Sequence, residues 1–176
     1  MKKEHLPVAG ALLLKGVLFS DLRGSFATFW EEDGAASLRF PFAPKSFLLS
    51  KNAKRNTLRG MHFQHAPYGQ SKLVSCVRGA FHDVILDLRR DSPTFRKWHA
   101  IHMDSESAEA LYIPAGCAHG FLTLEPDTWI TYLIEGPYVP ESGGVVRWND
   151  PLFQIQWPEV DPILSDKDRL APDFLP

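Results

Sequence analysis

The sequence predicts an all-β fold, a sandwich or barrel of short strands. Three observations carry this: apolar side chains recur every second residue, turn signals punctuate the chain at short intervals, and helix-length patterns are nearly absent. In chain order, KLVSCV (72–77) is a short β-type run. AFHDVILDL (80–88) alternates, with Val84, Leu86 and Leu88 on one side and Asp83 and Asp87 on the other. FRKWHAIH (95–102) is again a β-type run, and WITYLI (129–134) splits into Trp129, Thr131, Leu133 and Ile130, Tyr132, Ile134. Turns are signalled by Arg78-Gly79, Asp91-Ser92-Pro93, Pro114-Ala115-Gly116, Glu125-Pro126-Asp127 and Ser142-Gly143-Gly144. The helix candidates are short: SESAEAL (105–111) and the stretch around LSDKD (164–168).

Size and charge bound what the chain can do. With 176 residues, 44% of them hydrophobic, one domain spanning 1–176 is expected to build a core, with a proline-rich C-terminal strap over about 158–176. A net charge of −2 gives no general attraction to nucleic acid or an anionic membrane, so neither is an expected partner. Cys76 and Cys117 sit in apolar stretches, lie outside any CxxC, and read as buried thiols rather than a disulfide framework. The apolar N-terminal stretch is broken by Lys15 and followed by DLRG, which argues against a signal peptide; no run approaches a membrane span, and a cytoplasmic protein is expected.

Three clusters could carry chemistry. TLRGMHFQ (57–64) and QSKLV (70–74) place Arg59, His62, Gln64, His65 and Lys72 on successive β segments. IPAGCAHGF (113–121) brings His119 onto a strand after a tight turn. TYLIEGPY (131–138) holds Tyr132 and Tyr138, and LSDKD follows near the end. Singly, each residue is better explained by packing or solvation; the joint pattern changes the odds. Strict alternation points Arg59 and His62 to opposite faces, so a bulge or bend at Gly60 is expected if both serve one pocket. A metal centre is disfavoured. PAGCAH resembles half of a metal-binding jelly-roll pattern, but His62 and His65 are spaced HxxH, which on one strand sends them apart.

TLRGMHFQ, QSKLVSCVRGAFHDVILDLRRDSPTF, YIPAGCAHGF, YVPESGGVVRWNDP and LSDKD stand in the order found in the dTDP-4-dehydrorhamnose 3,5-epimerase family, and FSDLRGSF (19–26) resembles its N-terminal signature. The resemblance implies a cupin-type double-sheet jelly roll and a homodimer whose N-terminal strand completes the partner's sheet. It implies no metal and no organic cofactor. The implied reaction inverts C3, C5 or both of a nucleotide-linked 4-keto-6-deoxyhexose. His62 matches the family's base, Asp168 the carboxylate that orients it, Tyr132 the acid on the opposite face of the sugar, and Lys72 the cation near the ketone oxygen. Arg59, His119 and Tyr138 match residues lining the sugar and diphosphate site. Arg23 matches an arginine reaching the nucleotide from the partner subunit. Phe26, Gln64 and Lys167 complete the implied substrate contacts. A base with a pKa near neutrality, an enolate stabiliser and an opposed proton donor are the parts such a reaction needs.

At the nucleotide end the chain departs from the family pattern. Phe47, Leu48 and Leu49 fall where the family carries a Gln-Asp-Asn run that contacts thymine, and Thr28 replaces a common Glu. Either Ser50 and Asn52 take over those contacts or selectivity for dTDP is relaxed. Three other functions compete: epimerisation at a single carbon, a metal-dependent cupin using His62, His65 and His119, and a binding module without catalysis.

Overall fold

The computed structural model describes residues 1–30, 42–158 and 161–175; residues 159, 160 and 176 of the expected strap lie outside the described residues. In chain order the strands are β1 (Lys2–His5), β2 (Leu12–Lys15), β3 (Leu18–Asp21), β4 (Gly24–Ala27), β5 (Ser46–Asn52), β6 (Leu58–Gln64) and β7 (Ser71–Arg78). They continue with β8 (Ala80–Asp87), β9 (Trp98–Asp104), β10 (Glu109–Ile113), β11 (Cys117–Thr123), β12 (Thr128–Glu135) and β13 (Gly143–Val145), and a short helix α1 (Asp166–Arg169) follows. Two antiparallel sheets face each other, one in the order β1-β2-β10-β7-β12-β5 and the other β13-β6-β11-β8-β9; β3 and β4 form a separate hairpin. This is the double-sheet jelly roll predicted above.

The space between the sheets is filled by Val74, Cys76 and Ile130 from the six-stranded sheet and by Phe81, Ile85, Met103 and Phe121 from the five-stranded one. Complete burial of a residue such as Phe81 or Ile85 stabilises the fold by about 1.5–3 kcal/mol. The outer face of the five-stranded sheet is covered as well. Met61, Val84, Leu86, Ala118 and Val146 pack there under Phe153, Trp157 and Phe174 of the C-terminal segment. That segment is tied down by hydrogen bonds from Trp98 Nε1 to the Phe153 carbonyl at 2.9 Å and from Leu58 N–H to the Ile163 carbonyl at 3.0 Å.

Because β8 is covered on both faces, its alternation does not separate core from solvent. Asp83 and Asp87 lie opposite Val84 and Leu86, as the alternation predicts, but both are fully buried, on the inner face. Each survives there because it is paired. Asp87 accepts from Arg89 Nε at 2.8 Å, Arg89 Nη2 at 2.8 Å, Ser92 Oγ at 2.6 Å and Thr94 Oγ1 at 2.7 Å. Burial alone would raise its carboxyl, but these donors outweigh it and hold the pKa down at about 2. The predicted helix at 105–111 is also corrected. The Asp104 side chain accepts the backbone N–H groups of Glu106 and Ser107 to make a bend, and Glu109–Ile113 pair with β2 and β7 as a strand. Tertiary pairing outweighs the helix propensity of an Ala/Glu-rich stretch.

The bend expected at Gly60 is present. His119 pairs with His62 and Phe121 with Arg59, two residues apart on β11 but three apart on β6. Gly60 has φ +120°, and a Cβ there would lie 2.5 Å from Gly120 Cα and 2.7 Å from the His119 carbonyl oxygen. Only glycine tolerates both the dihedral and the approach of β11. Gly60→Ala is therefore expected to destabilise the protein by at least about 1–3 kcal/mol, as read by urea unfolding; an unchanged midpoint would show that the bulge is not constrained by this contact.

Candidate active site

One end of the space between the sheets is not filled by apolar side chains. A cavity of about 190 Å³ opens there, lined by Leu48, Lys72, Tyr132 and Ile134 from the six-stranded sheet and by Arg59, His62, His119 and Phe121 from the five-stranded one. Alternation on β7 and β12 turns Lys72 and Tyr132 inward, in the same rows as Val74 and Ile130. The bulge at Gly60 turns both Arg59 and His62 into the cavity. A second recess of about 220 Å³ shares His62 and Lys72 with it and adds Gln64, Gln70, Tyr138, Gly143, Gly144 and Lys167. His62 and Lys72 thus stand where the two compartments meet.

His62 is oriented from behind. Its Nε2 lies 2.5 Å from Asp168 Oδ1. Asp168 sits in α1, whose first turn is capped by Ser165 Oγ accepting the Asp168 N–H at 3.2 Å. Burial alone would raise the Asp168 carboxyl. The hydrogen bond and charge of His62, the Ser165 hydroxyl and the Gly60 N–H outweigh burial and hold it below the ordinary carboxylate range. An ionised carboxylate accepts only, so Nε2 carries the proton and Nδ1 is left as the free basic nitrogen.

Across the cavity the cation and the hydroxyl are desolvated. Burial lowers the Lys72 ammonium to about 8, against a weaker opposing effect of the Asp83 charge. Burial also pushes the Tyr132 phenol well above its usual range, which keeps it a neutral O–H donor. Arg59 is fixed by its Nε donating to Asn52 Oδ1 at 2.9 Å, and Asn52 donates in turn to the Thr128 carbonyl at 3.1 Å. His119 Nε2 is hydrogen-bonded to the fully buried Asp83. Among the described residues, His62 Nδ1, Lys72 Nζ, the Tyr132 hydroxyl and His119 Nδ1 have no hydrogen-bond partner within the chain, although all four side chains line this cavity. Buried polar groups are normally satisfied, so such a convergence describes a pocket shaped for a polar ligand.

The other predicted site residues divide. Tyr138, 77% exposed, and Lys167 line the second recess. Gln64 also borders it, but its amide is spent on the chain, donating to the Tyr68 and Pro137 carbonyls at 2.6 and 2.8 Å and accepting from Val139 N–H at 2.9 Å. It holds the loop that presents Tyr138. Arg23 and Phe26 do not reach the cavity of their own chain: they lie on the β3–β4 hairpin, where Arg23 pairs with Asp21 at 2.6 Å. Phe47 and Leu49 project from the outer face of β5 and are exposed, whereas Leu48 faces the cavity. Ser50 and Asn52 are not free substitutes for base contacts, since Asn52 is buried and committed to Arg59. His65 packs on Phe63 away from His62 and His119, and among the described residues no group of three or more His, Cys, Asp or Glu side chains is arranged to hold a metal.

Asp83 and Ser165 were not singled out as site residues from the sequence, and Asn52 was weighed only as a base contact, not as the partner of Arg59. The signal for Asp83 was a carboxylate between Phe81 and Ile85, in a strand too apolar on both faces to leave it in solvent.

The chain is similar to known proteins over nearly its whole length. The model of the family described as dTDP-4-dehydrorhamnose 3,5-epimerase matches residues 5–175. A dTDP-4-dehydrorhamnose 3,5-epimerase of Sinorhizobium fredii is 38% identical over 97% of the chain and 88% of that relative. A dTDP-4-dehydro-6-deoxyglucose 3-epimerase of a Streptomyces species is 38% identical over 95% of the chain and 86% of that relative. Among solved structures, the dTDP-4-dehydrorhamnose 3,5-epimerase of Bacillus anthracis with TDP and pyrophosphate bound superposes with a TM-score of 0.95 at 38% identity, covering 98% of this chain and 99% of that one. With the family model spanning nearly its whole length, the chain belongs to the dTDP-4-dehydrorhamnose 3,5-epimerase family.

Proposed function

We propose that the protein epimerises a nucleotide-linked 4-keto-6-deoxyhexose at C3, C5 or both, with the sugar ring held between His62 and Tyr132. The observation that carries this is the opposition, across one cavity, of an unpartnered imidazole nitrogen backed by a carboxylate and an unpartnered neutral phenol. His62 Nδ1 takes the proton α to the ketone. The C–H electron pair passes into the carbonyl and leaves an enolate oxygen, which the Lys72 ammonium stabilises. Asp168 stabilises the imidazolium that forms. Tyr132 O–H then delivers a proton to the opposite face of the carbon, the carbonyl re-forms and the centre is inverted. The remaining N–H groups of Arg59, together with Lys167, answer the charge of the diphosphate.

The named relatives act on dTDP sugars, and dTDP is the first candidate for the nucleotide. Both a 3,5-epimerase and a 3-epimerase are about equally similar to the chain, so identity does not choose between two inverted carbons and one. The apolar, exposed Phe47 and Leu49 offer no hydrogen bonds to a base, which favours tolerance of other nucleotides. We further propose a homodimer within a single jelly-roll domain. Phe19 and Phe26 are cross-strand partners on the β3–β4 hairpin and both are exposed, as are Leu18 and Leu22, apolar surface of the kind a second subunit covers, and Arg23 beside them does not line the cavity of its own chain. Cys76 and Cys117 are free and buried, with burial the main cause raising both thiols to about 12, in keeping with a cytoplasmic protein whose cysteines are structural. Among the described residues, no helix is long and apolar enough to cross a membrane.

The direct test is solvent deuterium exchange, followed by NMR, into dTDP-, CDP- and GDP-linked 4-keto-6-deoxyglucose. Exchange is expected at C3, C5 or both, and His62→Ala is expected to slow it by about a hundred- to ten-thousandfold. Exchange at the wild-type rate in that variant would remove His62 as the base. The pH profile offers an independent check. Lys72 is protonated below its depressed pKa, so enolate stabilisation is present at lower pH and lost as pH rises: kcat/KM is expected to fall through about pH 8. A profile flat to pH 10 would contradict the role of Lys72.

A further inference from the structure

A second His–Asp pair lies in the same cavity wall, and the reaction described above does not use its carboxylate. Asp83 is 0% exposed. Its Oδ1 is hydrogen-bonded to His119 Nε2 and accepts the Val84 N–H at 3.1 Å. Its Oδ2 is buried and has no hydrogen-bond partner among the described residues. An incompletely satisfied buried carboxylate is costly and is retained where a neighbouring charge offsets it.

Among the described residues, the charged and titratable groups facing this end of the cavity are few. Arg59 and His62 come from β6, Lys72 from β7, His119 from β11 and Tyr132 from β12, with Asp168 behind His62 and Lys167 at the second recess. Of the two carboxylates among these described residues, Asp168 is committed to His62, Ser165 and the Gly60 N–H. Among the described residues Asp83 is then the carboxylate left to answer Lys72, and its charge acts on both Lys72 and Tyr132.

We propose that Asp83 is a positioning residue for the reaction, locking His119 with its Nδ1 turned to the substrate and supplying the buried negative charge that keeps Lys72 cationic at the ketone oxygen. The second half rests on the epimerase function proposed above; the first half does not. An Asp held by a buried histidine alone would be structural. What distinguishes Asp83 is that the imidazole it holds lines the same cavity as Lys72 and Tyr132, the two groups that handle the oxygen and the second proton.

Asp83→Asn preserves shape and removes the charge. It is expected to lower kcat by about ten- to a hundredfold, the scale on which a partner that orients a reactive side chain is felt. It is also expected to move the alkaline limb of the pH profile down by about one unit or more, because Lys72 loses its countercharge. An unmoved alkaline limb, whether or not kcat falls, overturns the claim on Lys72. The imidazole nitrogen shifts of His119, read by NMR in ligand-free wild-type protein, require neither turnover nor a variant that folds. The proton is expected on Nε2, and a neutral ring carrying it on Nδ1 overturns the claim on His119. If His119 behaves as expected but wild-type protein exchanges no sugar proton, the reaction assignment fails and the pairing stands.

Discussion

The short contact between His62 and Asp168 is the interaction on which the rest of the site depends. It joins a strand of the five-stranded sheet to a helix of four residues near the C-terminus, more than a hundred positions away in sequence. A helix that short has little stability of its own, and its position is fixed by what surrounds it. The C-terminal segment is anchored on the outer face of the sheet through Phe153, Trp157 and Phe174, and it bridges to β6 through Ile163. Packing that looks like mere covering of a sheet face thereby sets the direction of one carboxylate. That carboxylate fixes which nitrogen of His62 is left free, and so, in the mechanism proposed above, where the reactive atom of a ligand must lie.

The two sheets play different parts. The five-stranded sheet brings Arg59, His62 and His119, each with a partner that holds it: Asn52, Asp168 and Asp83. The six-stranded sheet brings Lys72 and Tyr132, which have no hydrogen-bond partner among the described residues and whose acidity is set mainly by desolvation. Orientation is thus supplied on one wall and tuned acidity on the other. An inversion at carbon needs this asymmetry, since a proton leaves toward one wall and arrives from the opposite one.

Much of this was legible in the sequence because strand periodicity and glycine geometry are local. The alternation of WITYLI placed Tyr132 on a face with Ile130 and Ile134, and Gly60 between Arg59 and His62 called for the bulge that brings both side chains into one cavity. What could not be read depended on a third layer. The alternation of AFHDVILDL separated its two acids from Val84, Leu86 and Leu88 but could not show that both sides are covered, the C-terminal segment packing on one and the core on the other, where Asp83 holds His119. SESAEAL has helical composition but is captured between β2 and β7. Arg23 and Phe26 lie on a hairpin whose residues do not line the cavity of their own chain, a placement set by the hairpin's course and not by local alternation.

The central claim is that proton removal and proton return belong to opposite walls. It is tested most directly by Tyr132→Phe, with solvent exchange and inversion measured in the same NMR sample of the 4-keto sugar in heavy water. If Tyr132 is the opposed acid, exchange persists through His62 with retained configuration, while inverted product falls by about a hundredfold or more. An equal loss of exchange and inversion, or inversion at the wild-type rate, would contradict the division between the two walls.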